Sequence, residues 1–104
     1  MIDPQLTKNF NIKEWKCHDG THVPWNCVEN TIQCAKSLQA LREEVGKPIT
    51  IISGYRSGKY NDSIGSKRTS QHLKGTAADI RISGMRPQDV ANAIEDLISA
   101  GKMD

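Results

Sequence analysis

The stretch Ser70-Gln71-His72-Leu73-Lys74-Gly75-Thr76-Ala77-Ala78-Asp79 decides how this chain is read. His72 offers an imidazole nitrogen and Asp79 a carboxylate oxygen, and both are acceptable ligands for Zn2+. Gly75 between them permits a sharp loop, so that Asp79, at the start of a strand, can return towards His72. Two N/O donors with an open face suit a catalytic rather than a structural zinc site, which then requires a third protein ligand. On spacing alone, however, such a pair is more often a loop histidine and a strand-end aspartate capping backbone groups.

Immediately upstream lies Ile49-Thr50-Ile51-Ile52, β-branched throughout, which predicts a buried strand. Ser53-Gly54-Tyr55-Arg56-Ser57 follows it. An arginine beside a glycine at a strand end can turn its forked donors towards a substrate carbonyl or carboxylate, although a surface ion pair is its commoner fate. Residues 53–77 are polar, rich in Ser and Gly, and almost without apolar periodicity; a stretch of this length in a compact domain is usually functional or mobile. Arg56, Lys59, Lys67, Arg68 and Lys74 stand there against Asp62 alone. That excess would attract an anionic partner, either peptide carboxylates or nucleic acid, but Tyr60 is the only aromatic besides Tyr55, which leaves little for base stacking.

Further out, residues 78–82 (Ala-Asp-Ile-Arg-Ile) alternate and predict a second strand, followed by a turn at Ser83-Gly84. Pro87 then opens a helix with the stripe Val90, Ile94, Leu97 and Ile98, ended by Gly101. On the other side, Val28, Ile32, Ala35, Leu38, Leu41 and Val45 recur at intervals of three and four and predict a helix over about 27–45. Asn26 with Glu29 would cap its start, Gly46 its end, and Pro48 stands beyond. The stripe is expected to pack on Ile49 and Ile51. Asn11 and Glu14 form a capping-box signal for a short helix before Trp15, and residues 16–27 predict a loop.

The whole has 104 residues, 37% of them hydrophobic and 25% charged, with a net charge of +2. One globular domain without an internal boundary follows, and neither disorder nor a membrane span does. The charge is too mild to imply nucleic acid. Cys17, Cys27 and Cys34 are odd in number and irregular in spacing, which argues against a disulfide framework. Cys17, His18, His22 and Cys27 could hold a metal, yet the spacing matches no standard zinc finger, and loop histidines with free thiols are the plainer account. The N-terminus shows no basic region followed by an apolar stretch, so no Sec-type signal peptide is visible. Synthesis in the cytoplasm fits that, with release to the cell wall by another route.

Taken together, Ser-Gly-Tyr-Arg-Ser at 53–57, Asn61, and Ser70-x-His72-x-x-Gly75-x-Ala77-x-Asp79 resemble the zinc D-alanyl-D-alanine peptidase family. That family includes D-Ala-D-Ala carboxypeptidases, dipeptidases and phage-type L-alanyl-D-glutamate endopeptidases, and shares its fold with the hedgehog signalling domain. Phe10, Glu14, Trp15, Cys17 and Gly20 look like the N-terminal part of such cell-wall peptidases. The resemblance implies an α+β fold with a small antiparallel sheet packed against helices. It also implies zinc as cofactor and the peptidoglycan stem peptide as substrate, with neither nucleic acid nor membrane as partner. His72 and Asp79 become zinc ligands, Arg56 the group that steadies the scissile carbonyl, and Ser70 a substrate-side hydrogen-bonding residue.

The same resemblance places a third ligand, a His, and a general base on a strand beyond the helix ending near Gly101. After Asp79 this chain offers only Asp89, Glu95, Asp96 and Asp104, none in that motif. The single domain 1–104 is therefore expected to lack the closing strand, to bind zinc weakly and to hydrolyse no peptide as it stands. The alternative is a catalytically inactive cell-wall-binding or structural domain of the same fold.

Overall fold

A computed structural model describes residues 4–67, 70–75 and 77–102. Arg68, Thr76 and Asp104, named above, lie outside these residues, as does the side chain of Lys74. The described elements run as a 3-10 turn (Ile12–Trp15), a second (Trp25–Cys27), α1 (Val28–Val45), β1 (Ile49–Ser53), α2 (Gly58–Ser63), a third 3-10 turn (Gln71–Lys74), β2 (Asp79–Ile82) and α3 (Pro87–Ser99). The fold is α+β, with β1 and β2 paired antiparallel.

Capping decides where several elements begin. Asn11 closes a full capping box with Glu14, which fixes the entry to Trp15. α1 starts differently from expectation. Pro24 accepts the backbone N–H of Cys27, so Asn26 is drawn into a 3-10 turn and cannot cap the helix. Cys27 takes the cap position without a capping bond from its side chain. At the other end Gly46 adopts the left-handed conformation and its N–H bonds the Arg42 carbonyl, as its position predicts.

The core joins Ala35, Leu38 and Leu41 of α1 to Ile49 and Ile82 of the sheet, Leu97 of α3, and Phe10 and Trp15 of the first segment. The aromatic pair meets edge to face with centroids 6.0 Å apart. α1 is turned slightly from the predicted face: Thr31 is buried, whereas Ile32 is half-buried and outside the core. The Thr31 hydroxyl donates to the Cys27 carbonyl at 3.1 Å and reaches the Gly75 carbonyl at 3.4 Å, so a polar side chain is satisfied at a core position.

The strands also differ from a uniformly buried reading. Ile49, Thr50 and Ile51 pair with Ile82, Arg81 and Ile80, but Ser53 then faces Asp79, so a bulge falls at Ile52. Ile49 is buried while Ile52 is 43% exposed, because a two-stranded sheet covered by helices on one side leaves its other side open. Ala78 lies just outside β2. In α3, Leu97 is buried, whereas Ile98 at the edge of the predicted stripe is exposed.

Residues 53–77, read as irregular, contain α2 and the third 3-10 turn. α2 has no apolar stripe. Ser57 caps it by accepting the Tyr60 N–H, and its one buried residue is Asn61. Among the described residues no helix is long and apolar enough to cross a membrane.

Candidate metal and peptide site

The bulge brings the end of β1 opposite the start of β2, so the segment after Ser53 and the residue Asp79 share one end of the sheet. Trp15 holds this segment: its carbonyl accepts the Tyr55 N–H at 2.9 Å. The next amide, of Arg56, donates to the His72 carbonyl at 2.9 Å, which docks the third 3-10 turn alongside. Ser70 caps that turn, its hydroxyl accepting the backbone N–H of His72. Gly75 ends it at φ 73°, a left-handed conformation favoured by glycine, and the chain turns back towards Asp79.

These backbone bonds bring His72, Asp79 and Arg56 together. His72 Nε2 lies 3.6 Å from Asp79 Oδ2, and Arg56 Nη2 lies 3.6 Å from the same oxygen. The His72 and Arg56 side chains are largely buried, at 12% and 15% exposure, while the Asp79 side chain is 59% exposed. The site is therefore a solvent-facing carboxylate backed by an enclosed imidazole and guanidinium. The other imidazole nitrogen, Nδ1, donates to the Gly54 carbonyl at 2.7 Å. Arg56 Nη1 donates to the Ser66 hydroxyl at 3.3 Å. Arg56 is thus an enclosed cation facing Asp79, not a solvated loop charge.

The donor set can be tested against zinc. Two ligands each about 2.0–2.2 Å from one tetrahedral ion stand about 3.3–3.6 Å from each other. The imidazole and carboxylate have that separation, so they fit as two members of a zinc shell. Among the described residues no group of three His, Cys, Asp or Glu side chains could hold a metal.

Residues 5–102 match the family model for peptidase M15. The chain belongs to the peptidase M15 family. Over 52 residues, 49% of the chain, it is 40% identical to a zinc D-Ala-D-Ala carboxypeptidase of Streptomyces albus G, and that match covers 20% of the relative. The chain therefore spans about a fifth of that relative's length. No solved structure matches it.

Among the described residues of this M15 chain, the second metal-capable group, around residues 17–27, belongs to no cluster of three side chains that could hold a metal. Neither Cys17 nor Cys27 is in a disulfide, and Cys34 in α1 is likewise free. His18 is committed elsewhere: Nε2 lies 2.6 Å from the Ile52 carbonyl freed by the bulge, and Nδ1 lies 3.1 Å from the Tyr60 hydroxyl. Burial raises the Cys34 thiol above its ordinary value, away from reactive thiolate. Asp19 takes a role that its sequence position did not announce. Its carboxylate accepts the Ser57 hydroxyl at 2.6 Å and the Thr21 N–H at 2.9 Å, and the Ser57 bond is the main reason its pKa is well below 3.8. Asn61 was also not singled out beyond its place in the motif. Its Nδ2 donates to the carbonyls of Ser66 and Lys67, shaping the loop that presents Ser66 to Arg56. Neither role has a local signal, because each partner is supplied by the folded chain.

Proposed function

We propose that this domain holds zinc and substrate in a peptidase acting on peptidoglycan stem peptides, of the D-Ala-D-Ala carboxypeptidase or L-Ala-D-Glu endopeptidase type. The observation that carries the reading is the 3.6 Å approach of His72 Nε2 to Asp79 Oδ2, with Arg56 against the same carboxylate. His72 and Asp79 would hold the metal. When bound, zinc supplies a Lewis acid that polarises a peptide carbonyl and lowers the pKa of water.

The chain's own residues supply the rest. Arg56 is a cation with little solvent exposure, so its field acts in a less screened setting than a surface charge would. Placed beside the scissile carbonyl, it stabilises negative charge developing on that oxygen. Ser70, half-buried and capping the same turn, would supply the substrate-side hydrogen bond that the family resemblance implies. Exposed Lys59 and Lys67 favour approach of an anionic stem peptide. Action on the wall, after synthesis in the cytoplasm, completes the reading.

A second reading has its own observation. Two metal donors rather than three meet among the described residues, which favours a catalytically inactive domain that binds the cell wall. One experiment separates them. The protein is incubated with zinc and, in separate samples, a stem peptide ending in D-Ala-D-Ala and purified sacculi, and products are read by mass spectrometry. Bond cleavage lost in His72→Ala supports the peptidase and overturns the expectation, drawn from its two donors, that the chain hydrolyses no peptide as it stands. Sacculus binding without cleavage supports the inactive domain, and neither binding nor cleavage contradicts both.

A further inference from the structure

The Gly54 carbonyl lies 2.7 Å from His72 Nδ1. A carbonyl oxygen only accepts, so at this distance Nδ1 must carry the proton. In the neutral ring Nε2 is then a bare lone pair, and Nε2 is the atom that faces Asp79. A neutral histidine side chain in water prefers its proton on Nε2, the opposite arrangement. His18 shows that contrast within the same molecule, because its Nε2 faces a carbonyl and its Nδ1 faces a hydroxyl.

The Gly54 carbonyl is itself held from behind. A Cβ on Gly54 would lie 2.6 Å from Trp15 Cδ1, 2.7 Å from Trp15 Cα and 2.8 Å from Trp15 Cγ. Two of these atoms belong to the ring and one to the backbone, so the segment cannot yield by a simple side-chain rotation. Trp15 is fully buried, and its carbonyl binds the adjacent Tyr55 amide. The capping box at Asn11 and Glu14 fixes Trp15 in turn.

We infer that Gly54 and Trp15 are positioning residues: Trp15 packed against Gly54 sets the Gly54 carbonyl so that His72 carries its proton on Nδ1 and presents a bare Nε2 to a metal shared with Asp79. The inference rests on the metal reading above and adds two residues that touch neither metal nor substrate. Groups that orient a ligating histidine typically change metal affinity about 10- to 100-fold when removed.

The test begins with the metal-free wild-type protein, with its histidines labelled with 15N and observed by NMR well above the ordinary imidazole pKa of about 6.5. His72 should show a protonated Nδ1 and an unprotonated Nε2, while His18 shows the reverse. Zinc should then move the His72 Nε2 resonance and leave Nδ1 protonated. Gly54→Ala should shift His72 towards the Nε2-protonated tautomer of a solvated histidine and weaken zinc binding about 10- to 100-fold. A His72 protonated on Nε2 in the wild type overturns the inference, whether or not zinc binds. A protonated Nδ1 with no response of Nε2 to zinc overturns the metal reading and leaves the hydrogen bond standing. If Gly54→Ala does not fold, Trp15→Phe takes its place, and a His72 tautomer and zinc affinity unchanged in whichever variant folds overturn the positioning role of these residues.

Discussion

Gly75 shows how one residue joins two elements. Its φ of 73° ends the turn carrying His72, and a Cβ there would stand 2.6 Å from Thr31 Oγ1 of α1. Gly75→Ala should therefore combine left-handed strain with displacement of a buried hydroxyl, at a cost of about 1–3 kcal/mol. Urea unfolding checks it, and an unchanged midpoint would show that α1 and the turn are not coupled there. Asp19 makes a pH-dependent prediction. Its folded pKa is lowered, chiefly by the Ser57 hydroxyl, so its bonds to Ser57 and Thr21 support the fold fully above the ordinary carboxylate value of 3.8. That support is lost as pH falls below 3.8 and through the folded value. An NMR titration should find Asp19 still ionised at a pH where the exposed carboxylates are half protonated. At this scale the motif was legible through its resemblance to the family, and the structure brings His72, Asp79 and Arg56 together, whereas spacing alone favoured capping and surface roles for them. The hydrogen bonds around Asp19, Thr31 and Asn61 were not legible, since a polar residue's partner depends on what the fold brings to it.

Among elements, α1 dominates the core. Leu38→Ala should remove a buried side chain between α1 and the sheet and cost about 2–5 kcal/mol. Chemical denaturation reads this directly, and a midpoint equal to wild type would mean that the core is misplaced. α1, β2 and α3 were legible because each carries a periodicity of its own, β1 because its run is β-branched throughout, and Gly46 and Pro87 mark the end of α1 and the start of α3. α2 was not legible. Its six residues have no apolar face, and it stands on the Ser57 cap and the buried Asn61, neither of which yields a repeating pattern. The start of α1 misled for a similar reason: Asn26 has the right chemistry for a cap, but the 3-10 turn after Pro24 places it one residue before the cap position. The bulge at Ile52 leaves no mark in a run of β-branched residues, yet it aligns Ser53 with Asp79 and exposes the carbonyl that His18 binds.

For the whole molecule, the site depends on segments far apart in the chain. Trp15 near the N-terminus, Gly54 and Arg56 after β1, His72 in a turn and Asp79 at the start of β2 converge at one end of a two-stranded sheet. Their convergence, more than any single residue, supports the metal reading within the M15 family. Because only two metal donors meet among the described residues, the expected zinc complex is weak as well as single. The most direct measurement is a zinc titration of the purified protein against a chromophoric chelator, beside His72→Ala and Asp79→Asn, with folding of each checked by circular dichroism. The account predicts one weakly bound zinc per wild-type chain and at least about a tenfold loss of affinity in each variant. A wild-type protein that binds no zinc, or a zinc complex equally tight in both folded variants, would contradict it.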